Sequence, residues 1–204
     1  MRILKIAAAA MLILPCAGPA AAQFDPGTTA MLAVMAASQG AAEQACLEGR
    51  PLDPDRAADI DRRSQKRLDE YFAAIAASDA SEVARLFIDH GRRASWTGPD
   101  GPLALKEIKD PYALARGTAP LVRKAFIAGG DGETARGVWS LTLHKPGDPT
   151  QTQTVEYAAD FELGAFGGYW LLHMHVFAGD GSAPLPTAYC HLTPFADLAA
   201  APRH

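Results

Sequence analysis

The stretch from residue 155 to residue 177 constrains the fold more than any other part of this chain. Two runs rich in aromatic and β-branched residues, 155–163 and 169–177, flank a glycine-rich break at 164–168. This pattern is typical of an antiparallel hairpin, because glycine permits the tight reversal between two β-prone segments. The sequence therefore predicts two long paired strands near the end of the chain.

Side chains alternate in direction along a strand, so each run of the hairpin separates into two faces. The apolar face of the first run consists of Val155, Tyr157, Ala159, Phe161 and Leu163. Its other face consists of Glu156, Ala158, Asp160 and Glu162. Strict alternation along the second run gives one face with Trp170, Leu172, Met174 and Val176. The opposite face then has Tyr169, Leu171, His173, His175 and Phe177. If the apolar faces coincide, Phe161 lies near Trp170. Glu156 then lies close to His175 on the polar face.

The first 22 residues have the three parts of a signal peptide. Arg2 and Lys5 make the start positive, an apolar run extends to Leu14, and 20–22 are small residues suited to cleavage. The apolar run is shorter than the roughly 20 residues that a membrane span needs. We therefore expect cleavage after Ala22, export to the periplasm or the exterior, and no membrane association afterwards.

Charge narrows the range of partners. Loss of Arg2 and Lys5 changes the formal net charge from −4 to −6, and the remaining basic residues are scattered apart from a cluster at 62–67. An acidic protein with few basic clusters is poorly suited to nucleic acid or to anionic membranes. The partners that we expect are a small molecule and, as an open alternative, a second copy of this chain.

Two cysteines remain after cleavage, Cys46 and Cys190. In an oxidising compartment such a pair is commonly bridged. A disulfide would join the N-terminal helix to the C-terminal tail, and the alternative is two free, buried thiols. Neither cysteine lies in a motif that indicates catalysis.

The sequence patterns that predict helices lie in the first half of the chain, and those that predict strands lie mainly in the second half. The run 30–48 is rich in alanine and leucine, Asp53-Pro54 begins a second helix to about residue 77, and 79–82 has a capping-box pattern for a third over 80–89. Strands are expected at 94–97, 121–128 and 134–144 and in the hairpin. This order predicts an α+β fold, a curved antiparallel sheet wrapped around the long helix.

The chain also resembles a known family. The segment 71–79, Tyr-Phe-Ala-Ala-Ile-Ala-Ala-Ser-Asp, followed by Glu82-Val-Ala-Arg-Leu-Phe87, resembles the opening helices of the nuclear transport factor 2-like superfamily in its SnoaL-like branch. Gly167-Gly-Tyr-Trp-Leu-Leu-His-Met-His175 is similar to the family's late strand, and Gly137-Val-Trp139 fits a middle strand. In the family the late-strand histidines follow the tryptophan by four and six residues, whereas here they follow Trp170 by three and five. On strict alternation that puts them on the face opposite to Trp170.

The resemblance implies a cone-shaped fold with a cavity between the sheet and the helices, often in a dimer. Members include ketosteroid isomerases, dehydratases, polyketide cyclases, epoxide hydrolases and non-catalytic binding domains. We divide the chain accordingly into a signal peptide (1–22), a helical extension with the start of the long helix (23–63), the SnoaL-like domain (64–178) and an irregular tail (179–204).

Two sets of residues are candidates for function. The first would line the cone as an apolar cavity with hydroxyls that orient a ligand, or would be an ordinary filled core: Tyr71, Trp139, Tyr157, Trp170 and Met174. The second lies on the polar face of the hairpin: Glu156, Asp160, His173 and His175. An imidazole oriented by a carboxylate can act as a general base, and two imidazoles with a carboxylate can hold a divalent metal. Otherwise this face is exposed or pairs with a second copy.

Three functions follow from these residues. The first is an exported domain that binds a small apolar or aromatic molecule in the cone. The second is a cofactor-independent isomerase or dehydratase with a histidine as base. The third is a non-catalytic dimerisation or assembly module. We expect neither a bound metal nor an organic cofactor.

Overall fold

A computed structural model describes residues 26–116, 119–145, 147–164 and 167–190. The expected signal peptide at 1–22 and the end of the tail at 191–204 lie outside these ranges. The chain divides into two compact units, 1–36 and 37–204, and the sheet belongs to the second. Within the described ranges, no helix has the length and apolar character that crossing a lipid bilayer requires.

The described residues contain four α-helices, and three of these begin directly after a capping aspartate. They are α1 (Pro26–Leu47), α2 (Pro54–Ala76), α3 (Ala80–Leu86) and α4 (Pro111–Ala115), with 3-10 turns at Ile88–Gly91 and Leu105–Glu107. The predicted caps of α2 and α3 are confirmed, since Asp53 accepts from the backbone of Arg56 at 3.0 Å and Asp79 from that of Glu82 at 2.9 Å.

The third helix ends three residues earlier than predicted. Phe87 is already extended, with φ −89° and ψ 150°, and Asp89 and His90 have φ values of 53° and 51°, in the left-handed region. A right-handed helix cannot continue through such residues. The chain therefore turns at this point and enters the sheet a few residues later.

Six strands form one curved, mixed sheet that does not close into a barrel. They are β1 (Ser95–Gly98), β2 (Gly101–Leu103), β3 (Val122–Ala128), β4 (Thr134–Lys145), β5 (Asp148–Leu163) and β6 (Tyr169–Ala178), in the order β2-β1-β6-β5-β4-β3. The expectation of a purely antiparallel sheet is wrong at one place, because β1 runs parallel to β6. Hairpins force the strands β3 to β6 to alternate, but no hairpin joins β1 to β6.

The predicted hairpin of β5 and β6 is present, and it contains one β-bulge. Asp160 pairs with His173 and Phe161 pairs with Leu171, so Leu172 is an extra residue in β6. An inserted residue reverses the alternation of side chains on either side of it. Strict alternation therefore fails along this strand.

The bulge corrects the predicted faces of β6. Tyr169 and Leu171, which were expected on the polar face, are buried in the core beside α2. Trp170 pairs with Glu162 and is absent from the core cluster, so its expected place beside Phe161 is wrong. Because of the bulge, Trp170 lies on the same face as His173 rather than opposite to it.

The main core lies between α2 and the inner face of the sheet. The helix contributes Ile60, Leu68, Tyr71, Phe72 and Ile75, and the sheet contributes Trp139, Leu141, Tyr157, Phe161, Leu171, Met174 and Val176. The α+β fold class, with a curved sheet over a long helix, is thus confirmed.

The tail crosses the outer face of the sheet. Ala183 packs with Val138 and Ala158 in a second, small apolar cluster. Cys46 and Cys190 form a disulfide with Cα atoms 5.7 Å apart, which confirms the bridged alternative. The bridge passes against Gly130, where any side chain would collide with the Cys46 sulfur.

Candidate functional site

A buried carboxylate, Asp110, is the centre of a hydrogen-bond network inside the cone. Tyr71 donates its hydroxyl to Oδ2 at 3.0 Å, and Tyr157 donates to Oδ1 at 3.1 Å. The indole Nε1 of Trp96 donates to the Tyr71 oxygen at 2.8 Å. The network therefore joins α2, β1, β5 and the start of α4 through polar groups that have no access to solvent.

The same carboxylate caps α4. Asp110 Oδ1 accepts from the backbone nitrogens of Tyr112 and Ala113, each at 3.1 Å. Burial raises the pKa of Asp110, against the lowering effect of these bonds and of the tyrosine hydroxyls. Burial and the neighbouring Asp110 also raise the pKa values of Tyr71 and Tyr157 far above the usual range. Both phenols stay protonated and act as donors to Asp110.

Four of the five predicted ligand-binding residues lie within the core. Tyr71, Trp139, Tyr157 and Met174 are almost completely buried. The Tyr157 ring makes an edge-to-face contact with Phe72 at 5.1 Å between centroids. These contacts are typical of close aromatic packing. That a ligand touches these four side chains stays a prediction.

The fifth, Trp170, is apart from the others. The guanidinium of Arg67 lies over its ring, 4.1 Å from the centroid, in a cation–π contact. The same guanidinium donates through Nε to the backbone oxygen of Tyr169 at 2.9 Å. Trp170 therefore joins α2 to the start of β6, outside the cone.

On the outer face, Glu156 holds the tail. Its carboxylate accepts from Lys124 Nζ at 2.7 Å and from the backbone nitrogens of Gly181 at 2.9 Å and Ala183 at 2.7 Å. Burial alone would raise the pKa of Glu156, but these bonds outweigh burial and hold it below its usual range. The carboxylate that was expected to orient His175 is engaged by a lysine and by the tail.

Asp160 is engaged by an arginine. Arg136 Nε donates to Oδ1 at 2.5 Å and Nη2 donates to Oδ2 at 2.9 Å, and both side chains are buried. Burial raises the pKa of Asp160 to about 6, although the Arg136 charge opposes the shift. A bidentate pair of this kind fixes both side chains in place.

The two histidines share the outer face with these carboxylates. His173 Nδ1 is 2.7 Å from Ser95 Oγ, and its ring centroid is 6.2 Å from that of His175. Burial, with smaller contributions from His173 and Arg136, lowers the pKa of His175 to about 4. At neutral pH His175 is therefore uncharged. Its pairing position in β5 is Ala158, with Glu156 and Asp160 as diagonal neighbours. The catalytic assignment of these four residues stays a prediction.

The arrangement of ligating side chains gives no metal site in the part of the chain that the structure describes. There, no group of three or more histidine, cysteine, aspartate or glutamate side chains is placed to hold an ion.

A cleft of about 430 Å³ lies on the helical side of the cone. Its lining comes from the end of α2, from α3 and from the segment 105–114, and consists of Ile75, Ser78, Asp79, Ala80, Val83, Lys106, Ile108, Lys109 and Leu114. Asp110 lies within that segment, so its bonds to Tyr71 and Tyr157 fix one wall of the cleft to the core.

Neither this cleft nor its anchor was predicted from the sequence. Asp110-Pro111 repeats the cap signal of Asp53-Pro54, so the cap itself was recognisable. The convergence of two tyrosine hydroxyls on the same carboxylate comes from residues far apart in the chain, and no local pattern indicates it.

The pKa of His175 gives a test of its burial. The pKa of His175 is about 4 in the folded state and 6.5 ordinarily, so the folded state binds this proton less tightly than the unfolded state. The contribution of neutral His175 to stability is therefore fully present above pH 6.5 and is lost as pH falls toward 4. Because the pKa of Asp160 is raised, its contribution to stability changes with pH in the opposite direction. The test therefore compares the wild type with a His175 variant, in which the contribution of Asp160 cancels. We expect the stability of the wild type relative to His175→Gln to fall by about 2 to 3 kcal/mol between pH 7.5 and 4.5. Urea unfolding at both pH values measures this.

The control for that measurement is His144→Gln, because His144 is exposed at the end of β4. This variant measures how the loss of an exposed histidine changes the free energy of unfolding at each pH value. A pH-independent difference for His175→Gln would show that the buried imidazole does not titrate as described.

This chain is similar to known proteins in structure only. No protein-family model and no curated protein matches the chain. A nuclear transport factor 2-like superfamily protein from Salmonella enterica serovar Typhimurium is similar in structure, with 12% identity, a TM-score of 0.45, and coverage of 61% of this chain and 94% of that one. A second such protein, with a cystatin-like fold, from Novosphingobium aromaticivorans has 13% identity, a TM-score of 0.45, and coverage of 62% and 86%.

A third similar structure is a putative ketosteroid isomerase from Shewanella frigidimarina, with 12% identity, a TM-score of 0.41, and coverage of 56% of this chain and 94% of that one. The first two are described as nuclear transport factor 2-like, the superfamily that the sequence resembles. Similarity of this degree says nothing about what this chain binds.

Proposed function

We propose that this chain is an exported, non-catalytic domain that binds a small molecule with an apolar or aromatic body. The observation that carries the proposal is the cleft of about 430 Å³ between α2, α3 and the segment 105–114. Pockets for small molecules typically have volumes of about 300 to 1,000 Å³ and mainly apolar walls. Export to the periplasm or exterior is part of the proposal and agrees with the disulfide.

The apolar part of the cleft is continuous with the core. Ile75, Val83 and Ile108 are core residues, and Leu114 reaches the mouth of the cleft with 48% of its surface exposed. A ligand that covers these side chains removes apolar surface from water, which is the main source of affinity at such sites. The wall is held by the Asp110 network, so the cleft needs little rearrangement to bind.

Binding is favoured over the isomerase or dehydratase alternative by the state of the carboxylates. In that alternative a histidine is the base, and a carboxylate must be free to orient its imidazole. Glu156 is bonded to Lys124 and the tail, and Asp160 is bonded to Arg136. Asp110 is fully buried and already accepts four hydrogen bonds.

The assembly alternative needs the outer face of the sheet as a contact surface. Residues 179–190 of the same chain cross that face, with Ala183 buried against it and Gly181 bonded to Glu156. Pairing of two copies there would require the tail to move. A ligand in the cleft requires no such movement.

The proposal is tested with a neutral apolar probe, N-phenyl-1-naphthylamine, by fluorescence titration. We expect saturable binding to the wild type and about three- to tenfold weaker binding to Leu114→Asn, because a ligand covers the exposed half of this side chain and full burial of a leucine contributes about 1.5 to 3 kcal/mol. The matched control is Leu185→Asn, which changes an exposed leucine of the tail outside the cleft. Equal affinity in all three proteins, or no saturable binding to the wild type, would contradict the proposal.

A further inference from the structure

The lysines of this protein differ in whether they have partners. Five lie in the described ranges. Lys66 pairs with Glu70, Lys124 pairs with Glu156, and Lys145 bonds to Gln151. The remaining two, Lys106 and Lys109, make no hydrogen bond or ion pair with any side chain that the structure describes, and both line the cleft.

The acidic group of the cleft does not neutralise these lysines. Asp79 accepts from the backbone nitrogen of Glu82 and from Ser81 Oγ, each at 2.9 Å. The bond from Glu82, and to a smaller extent that from Ser81, lowers the pKa of Asp79. The carboxylate therefore stays ionised as the cap of α3. Asp79 keeps its negative charge, but its described bonds are to α3 and not to either lysine, so the cleft lining has one acidic and two basic side chains.

We infer that the ligand of this cleft is an apolar anion, a hydrocarbon or aromatic body that bears one carboxylate or sulfonate group. The inference rests on the proposed function and adds the charge of the ligand to it. The body covers Ile75, Val83 and Leu114, and the acid group lies between Lys106 and Lys109 at the rim.

The positive charge of the two lysines, next to an apolar surface, is complementary to an apolar anion. The chain as a whole is acidic, with a formal net charge of −4 before any cleavage, so its general field repels anions. Lys106 and Lys109, three residues apart and without a partner among the described side chains, make this rim a local exception. An ammonium next to a low-dielectric wall interacts with an anion more strongly than one surrounded by water. Lysine is also flexible, so it can follow an acid group whose position is set by the apolar body.

Two probes of nearly the same shape test the inference. N-phenyl-1-naphthylamine is neutral, and 1-anilinonaphthalene-8-sulfonate adds a sulfonate to the same rings. We expect the wild type to bind the sulfonate at least five times more tightly than the neutral probe. The Lys106→Gln/Lys109→Gln double variant should bind the sulfonate about five- to tenfold more weakly than the wild type, with less than a twofold change for the neutral probe.

The matched control is Lys66→Gln/Lys145→Gln, which removes the same charge from exposed lysines outside the cleft. It should bind both probes as the wild type does, and 0.5 M NaCl should weaken only the sulfonate. If the wild type binds the neutral probe as tightly as the sulfonate, or both double variants weaken the sulfonate equally, the inference is wrong while the proposed function stands. If neither probe binds saturably, both are wrong.

Discussion

Replacement of Cys46 and Cys190 together by serine is expected to lower the free energy of unfolding by about 5 kcal/mol. The two residues are 144 positions apart, so their bridge closes a loop that includes the whole sheet. A bridge over a long loop removes conformational entropy from the unfolded chain, and the effect grows slowly with loop length. Single domains are typically stable by only about 5 to 15 kcal/mol, so the variant should be close to the limit of stability.

Urea unfolding of the oxidised wild type, the reduced wild type and the double variant measures this effect. The reduced wild type and the variant should agree, because both lack the cross-link. Binding of N-phenyl-1-naphthylamine to folded protein should be unchanged, since none of the described tail residues 179–190 lines the cleft. A loss below about 1 kcal/mol would show that the unfolded chain is not constrained by the bridge.

Elements with local signals were predictable from the sequence. Asp53 and Asp79 were recognised as caps because a cap needs only a side-chain oxygen and the next turn of helix. The hairpin was recognised because its strands and its turn are contiguous. The direction of β1 depends on a partner strand about 80 residues later, and no pattern within β1 indicates which way it pairs.

Alternation failed where one residue was inserted. The bulge at Leu172 moves Tyr169 and Leu171 into the core and moves Trp170 out of it. A period of two cannot reveal such a shift, because residues 169–171 before the bulge are all apolar and fit either face. Tyr157 and Met174 therefore face the core, as alternation indicated, whereas Trp170 does not.

Partners of buried charges were the least predictable feature. Glu156 and Asp160 were correctly placed on the outer face, yet their cations, Lys124 and Arg136, lie 32 and 24 residues earlier in the chain. Charged side chains are buried only when a partner is present, but the sequence does not say which one. The assignment of these carboxylates to the histidines followed from proximity along one hairpin alone.

Asp110→Ala is expected to lower the free energy of unfolding by about 3 to 5 kcal/mol. The hydroxyls of Tyr71 and Tyr157 would lose their acceptor in a buried site, and α4 would lose its cap. Each buried donor without a partner costs about 1 to 3 kcal/mol, partly offset because a buried carboxylate no longer has to be desolvated. Urea unfolding measures the loss, and probe titration should show a weakened cleft because its wall is released.

Asp110→Asn separates charge from hydrogen bonding. The amide keeps one acceptor oxygen for the cap, so we expect a smaller loss of about 1 to 2 kcal/mol. The raised pKa of Asp110 means that the folded state binds the proton more tightly than the unfolded state. Its contribution to wild-type stability is therefore largest in acid and falls as pH rises through the raised value. The advantage of the wild type over Asp110→Asn should accordingly shrink from pH 4 to pH 7.

A double-mutant cycle with Tyr157→Phe decides whether the hydroxyl and the carboxylate act as a pair. Tyr157→Phe alone should cost about 1 kcal/mol, because it removes one donor and leaves Asp110 three others. In the Asp110→Ala background the same substitution should restore about 1 kcal/mol, because it removes an orphaned buried donor. Simple addition of the two losses would mean that the hydroxyl finds water or another acceptor once Asp110 is gone. In that case the wall of the cleft would be held by apolar packing against α2 rather than by this carboxylate.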